Sequence, residues 1–200
     1  MKSAIDQFRE NIVRVRSLGA IHGAIKAQTT IALDLSDVLR AQLVLAVSAL
    51  DHYVHEVVRL GMLEIHAGQR NSTPTFLKFP ISMEDVRQTM VVPASTDWLE
   101  TAIRSRNGWQ SFQQPDNIAN AIRLISDIRL WDEVAVSLGE GNPSRIKEQL
   151  KLIVERRNKI AHEADIDPTF PGRRWPIDEK LVDDTTDFIE QIVETIHRLL

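Results

Sequence analysis

The 200-residue chain contains no cysteine. Disulfide frameworks, thiolate metal sites and cysteine nucleophiles are excluded, and a reducing compartment suits the sequence. Long hydrophobic runs are missing too. The most apolar stretch, Ala41 to Leu50, is closed off by Arg40 and Asp51 and falls far short of the ~20 residues a membrane-spanning helix needs. It reads as a buried helix, and no membrane partner is expected. A secretory leader is not indicated, because Lys2, Asp6, Arg9 and Glu10 put charge where a leader carries an apolar core. The expected location is the cytoplasm. An excess of positive charge is also lacking. With 24 basic and 28 acidic residues the net charge is −4. Coating nucleic acid through bulk charge is excluded, so any RNA contact has to be made at a local basic site.

No stretch alternates cleanly with period two, and there is no internal repeat or low-complexity segment. What is present is apolar spacing of three and four residues, the signature of helices. A first helix is expected from Ser3 to about Ala27, with Ile5, Phe8, Ile12, Val15, Ile21 and Ile25 along one side. A second begins near Asp34 or Ser36 and runs to about His66, apolar over a surface wide enough for a central position. The segment from Gly68 to Pro80 is a connector. Short helices follow at Ser82 to Met90, Thr96 to about Gln110, Pro115 to about Ser126 and Leu130 to Leu138. Ser82 with Asp85, and Ser95 or Thr96, are start signals. Ser144 is expected to cap a long helix reaching about His162. A loop holding Pro168, Pro171, Gly172 and Pro176 leads to a last amphipathic helix from about Asp178 to Leu200. The expectation is one all-α domain over residues 1–200: a bundle of four long helices with several short helices inserted between the second and third.

The segment Glu155-Arg156-Arg157-Asn158-Lys159-Ile160-Ala161-His162-Glu163 concentrates the chemistry. A histidine moves protons near neutral pH, and an arginine holds phosphate or developing negative charge through a planar fork of donors. The spacing alone decides nothing. With 17 arginines and six histidines in the chain, roughly 0.5 cases of Arg five positions before His arise by chance. Context has to decide.

That context resembles a known family. Arg157-Asn158-Lys159-Ile160-Ala161-His162 matches the Arg-x4-His signature of the HEPN superfamily. Leu45 to Glu56 (Leu-Ala-Val-Ser-Ala-Leu-Asp-His-Tyr-Val-His-Glu) resembles the early core helix of the RiboL-PSP-type HEPN group, Ser111 to Ile118 its middle segment, and Arg156 to Asp165 its signature helix end. The stretches occur in the right order across most of the chain. The resemblance implies a HEPN-like α-helical bundle and a metal-independent endoribonuclease acting as a homodimer, with two Arg-x4-His motifs facing each other. It also implies a toxin or phage-defence role, with an antitoxin or defence-system protein as a further partner. Some members of the superfamily have lost catalysis. The alternative function is therefore a silent module that binds RNA, a nucleotide or a protein.

Read as chemistry, His162 would move protons and Arg157 would stabilise the charged transition state, with Asn158 orienting His162 or touching phosphate. No metal or other cofactor is called for. On an ideal helix Arg157 and His162 stand ~140° apart, whereas Asn158 and His162 share a face. Either the helix distorts near Ala161, or Arg157 reaches round, or a second subunit completes the site. The plain alternative pairs Arg156 and Arg157 with helix-end carbonyls, or with Glu155 and Glu163. Asp51 and His55 lie four apart on the central helix; Asp51 either orders Arg157 or satisfies a core or interface hydrogen bond. Arg156, Lys159, Arg173, Arg174 and Trp175 are candidate RNA contacts. A surface arginine–aromatic contact is the alternative for the last three. His52, His55 and Glu56 do not form a recognised metal pattern. His22, His66 and His197 are expected in solvent or at helix ends, and Trp98, Trp109 and Trp131 as core or interface anchors.

Overall fold

The computed structural model describes residues 2–29, 33–91, 96–170 and 172–200. Ser95 as a helix start and Pro171 in the late loop lie outside them. Among the described residues there are eight α-helices: α1 (Lys2–Gln28), α2 (Ser36–His66), α3 (Met83–Val91), α4 (Asp97–Asn107), α5 (Pro115–Ile122), α6 (Leu130–Ser137), α7 (Pro143–His162) and α8 (Glu179–Leu199). A 3₁₀ turn, Phe76–Lys78, sits in the connector after α2. The architecture is all-α, and α1, α2, α7 and α8 are the long helices.

Helix α2 is the spine. Buried residues cover more than half of its circumference, including Leu43, Val47, Leu50, Tyr53, Val54, Val57, Val58 and Met62, and it packs against α1, α4, α5, α7 and α8. A helix apolar over so wide a surface can only be stable inside. No helix of the described residues is long and apolar enough to cross a membrane. Helix α1 lays Ile5, Phe8, Ile12 and Val15 on the spine. Ile21 and Ile25 do not continue that stripe and are exposed. The three-and-four spacing runs instead through Gly19 and His22. A Cβ on Gly19 would lie 3.0 Å from the Gln42 amide nitrogen, and His22 is buried rather than solvated, its Nδ1 3.6 Å from Glu179.

Local chemistry sets the helix starts. Asp85 accepts from the Ser82 amide at 2.9 Å, and Ser82 Oγ accepts from the Asp85 amide at 3.1 Å, closing a capping box on α3. Pro115 and Pro143 occupy the first turns of α5 and α7, where the missing N–H has no partner to lose. The residue that caps α7 is Asn142, not Ser144: its Oδ1 accepts from the Ser144 amide at 2.9 Å. Asp178 caps α8 by accepting from the Leu181 amide at 2.8 Å. Trp131 is buried and donates to the Pro115 carbonyl at 2.9 Å. Trp109 is 81% exposed and anchors nothing in the core.

Two helical glycines give opposite expectations. A Cβ on Gly23 meets nothing within 4 Å, whereas one on Gly61 would lie 2.8 Å from Ile125 Cγ2. Gly23→Ala should raise stability by up to ~1 kcal/mol through helix propensity. Gly61→Ala should lower it by about 1 kcal/mol, because overpacking outweighs that gain. Denaturant unfolding of the two variants checks the signs, and a stabilised Gly61→Ala would show the α2–Ile125 contact to be looser than described.

Candidate active site

Helix α7 turns Ile146, Leu150, Ile153 and Val154 into the core. One turn beyond Ile153 the same face carries Arg157, half-buried, with its Nε enclosed and unpartnered. The helix is regular through His162, so Ala161 does not distort it. Arg157 and His162 remain ~140° apart around the axis and about 7.5 Å apart along it. Asn158 stands between them in angle, and its Oδ1 accepts from Arg157 Nη1 at 3.0 Å. His162 is exposed and makes no hydrogen bond or ion pair among the described residues. Neither Glu155 nor Glu163 pairs with either arginine; Glu155 lies 3.9 Å from Lys151.

Beyond His162 the chain reverses sharply. The Glu163 and Asp165 amides both donate to the Lys159 carbonyl, at 2.9 and 3.0 Å. Ala164 and Asp165 take φ of 52° and 59°. Non-glycine residues seldom adopt that left-handed conformation, because Cβ crowds the carbonyl. What holds it is the Asp165 carboxylate, which is 0% exposed. Its Oδ2 accepts from Arg40 Nε at 2.7 Å and from Arg156 Nη2 at 2.8 Å. The same network fastens the loop back onto the helices. The Trp175 amide donates to the Asp165 carbonyl at 2.9 Å. The Trp175 carbonyl accepts from Arg40 at 2.9 Å and from Arg156 at 3.2 Å. Arg156 also reaches the Pro176 carbonyl at 3.2 Å, and Ile166 and Arg174 form a single β-bridge. Burial pushes the Arg156 pKa below its ordinary value, the Asp165 charge opposes the shift, and Arg40 adds to it.

This changes the reading of several residues. Arg156 holds the helix end together. Arg174 pairs with Asp37 and, at 3.2 Å, with Asp34 at the start of α2. Trp175 is half-buried, with Lys159 Nζ 5.1 Å from the centre of its ring. The aromatic contact is therefore made by lysine rather than arginine. The Arg173 side chain is exposed, and no polar partner for it is present among the described residues. Asp51 does not reach Arg157. Its partly buried carboxylate accepts from the Phe112 amide at 2.6 Å and from Gln113 Nε2 at 3.2 Å, so its hydrogen bonds go to the middle segment rather than to Arg157. His55 donates to the Gln110 carbonyl at 3.2 Å, its ring centre 4.4 Å from that of Phe112. These two residues fasten the middle segment to α2. Glu56 pairs with Arg59 at 2.8 Å, and among the described residues no group of three or more acidic or histidine side chains is placed to hold a metal ion.

Two residues that matter most were not singled out as site residues, Arg40 and Asp165. Arg40 carried a signal: it lies among Leu39, Leu43 and Val47 on the apolar side of the spine. A charge buried there requires a charged or hydrogen-bonding partner. Asp165 stood out only as the last residue of the resembling helix end, and its tie to Arg40 spans 125 positions in sequence.

An all-α bundle with this motif at the end of its third long helix defines a HEPN-type domain. The family model RiboL-PSP-HEPN matches residues 9–200, and the chain belongs to that family. No curated protein and no solved structure matches it.

Removing one member of a buried charge network leaves the others uncompensated. Asp165→Ala should therefore cost about 3–5 kcal/mol in chemical denaturation. A loss below ~1 kcal/mol, the usual value of a surface pair, would show that the carboxylate does not organise the helix end.

Proposed function

We propose that this protein is a metal-independent endoribonuclease that works as a homodimer in the cytoplasm, as a toxin or phage-defence effector, with residues 1–200 forming one domain. The observation that carries the reading is the end of α7: Arg157 and Asn158 are joined by a hydrogen bond, and an unengaged His162 sits one turn on, just before the locked turn at Asp165. Membership of the family supports an RNase-like function.

The residues suit internal attack on RNA. A base removes the proton of a 2′-hydroxyl, and the new O2′–P bond forms as the P–O5′ bond breaks. An acid then protonates the departing O5′, leaving a 2′,3′-cyclic phosphate and a 5′-hydroxyl. Histidine can serve as base or acid. Arginine remains charged throughout and opposes the negative charge that builds on the non-bridging oxygens. Arg157 Nη2 forms no hydrogen bond among the described residues, which leaves that donor for phosphate. Because one regular helix holds Arg157 and His162 on different faces, a second copy supplies the complementary group. Lys159 and Arg173 are the basic side chains best suited to hold the flanking strand. Arg156 and Arg174, with their internal carboxylate partners, are left out of that set.

The alternative, a silent HEPN-like module binding RNA, a nucleotide or a partner protein, draws on the net charge of −4 and on the half-buried setting of Arg157. Cleavage of a mixed RNA pool with chelator present separates the two. His162→Ala and Arg157→Ala should each lower the rate by at least ~10²-fold, the scale of a lost acid–base or charge-stabilising group, while both variants keep the wild-type mass in solution, twice the 22.7 kDa of one chain. Equal rates in all three proteins would remove the enzymatic reading, and a strict monomer would remove the two-copy site.

A further inference from the structure

A cleft of about 550 Å³ opens where the Pro74–Pro80 segment meets the end of α4 and the start of α5. It belongs neither to α7 nor to the loop that follows it. Its volume falls in the range of small-molecule sites. Its lining is unusual for a chain with more acidic than basic residues, because no aspartate or glutamate faces it, while Lys78 and Arg106 do. Among the described residues neither cation has a carboxylate partner. Arg106 lies instead over the ring of Phe79, 5.9 Å from its centre. Carboxamides supply most of the remaining polar lining, from Asn107, Gln110, Asn117 and Asn120.

Asn107 is the decisive residue. It is 5% exposed, it lines the cleft, and its amide nitrogen has no hydrogen-bond partner. A buried donor left unpaired is unfavourable, and an acceptor brought by a ligand relieves it. Most neighbouring carboxamides are occupied. Asn117 donates to the Ser111 carbonyl at 3.0 Å, and Gln110 to the Arg106 carbonyl at 3.2 Å.

We propose that this cleft binds a small organic phosphate carrying a flat ring. Lys78 and Arg106 take the phosphate. The platform of Arg106 and Phe79 takes the ring, since a guanidinium–aromatic pair offers a stacking face. A turn of the Asn107 side chain toward the cleft gives its amide nitrogen an acceptor on the ligand. Phe112, which also lines the cleft, is fixed by Asp51 through its backbone and by His55 through its ring, so the cleft is tied directly to the spine. A free nucleotide and a simple aryl phosphate share this chemistry.

Calorimetry with AMP, phenyl phosphate and inorganic phosphate tests the proposal on the full chain. Both aromatic phosphates should bind with one-to-one stoichiometry, and inorganic phosphate at least tenfold more weakly. Tighter binding of AMP than of phenyl phosphate would identify a nucleotide as the source, and equal binding a simpler ester. The double variant Lys78→Ala/Arg106→Ala, changed only at exposed positions, should lose at least tenfold in affinity while keeping its helical circular dichroism. Arg157→Ala and His162→Ala should bind as the wild type does, whatever their effect on RNA. No saturable binding of either aromatic phosphate at millimolar concentration would overturn the proposal, as would affinity unchanged in the double variant, or binding lost in His162→Ala.

Discussion

The Asp165 carboxylate, buried between Arg40 and Arg156, is the constraint on which the candidate site depends. Two guanidinium groups on different helices converge on one oxygen at 2.7 and 2.8 Å. That convergence fixes the end of α7 against the beginning of α2. It also holds two consecutive non-glycine residues in a left-handed turn, a conformation that persists only where its surroundings impose it. The loop back to α8 is then secured through the Trp175 carbonyl, which accepts from both arginines, and the Pro176 carbonyl, which accepts from Arg156. Arg40 also lies 3.8 Å from Asp37, so the arginines of this network are largely matched by carboxylates, and Arg157 and Lys159 are the cations beside it without one among the described residues.

The bundle was legible because its signals are local. The spacing of Leu43, Val47, Leu50, Val54, Val57 and Val58 marked the spine. Pro115, Ser144 and Asp178 marked helix starts that hold to within a residue or two. Errors arose where a local rule was outweighed by packing. Ile21 and Ile25 are apolar but out of phase with Val15, and the inner position passed to His22. Asn142 took the capping role from Ser144, because its side chain reaches the second helical amide. Trp109 lies beyond the end of α4, where nothing covers it.

The candidate site was legible only in part. Arg157, Asn158 and His162 lie on one continuous helix, so their relative angles followed from arithmetic and the structure reproduces them. Asp51 and His55 were visible as a polar stripe, but their partners are in a segment about sixty residues away, at Gln110 to Gln113. The basic and aromatic residues after His162 looked like a surface for RNA. In the fold Arg174 faces Asp34 and Asp37, Trp175 lies against Lys159, and Arg173 is exposed. Long-range ion pairs such as Arg40 with Asp165 leave no periodic trace, and a single sequence can show only that a buried arginine needs a partner.

The proposed chemistry asks for one thing that no general RNA-binding role would ask for, a 2′-hydroxyl on the nucleotide at the cut. The most direct test is cleavage of an RNA that the protein cuts at a mapped position, beside the same RNA carrying a single 2′-deoxy nucleotide there, with the product ends identified by mass. The account predicts a 2′,3′-cyclic phosphate and a 5′-hydroxyl from the first RNA, and no cut at that position in the second. Cutting of the deoxy-substituted strand, or products ending in a 5′-phosphate and a free 3′-hydroxyl, would contradict it.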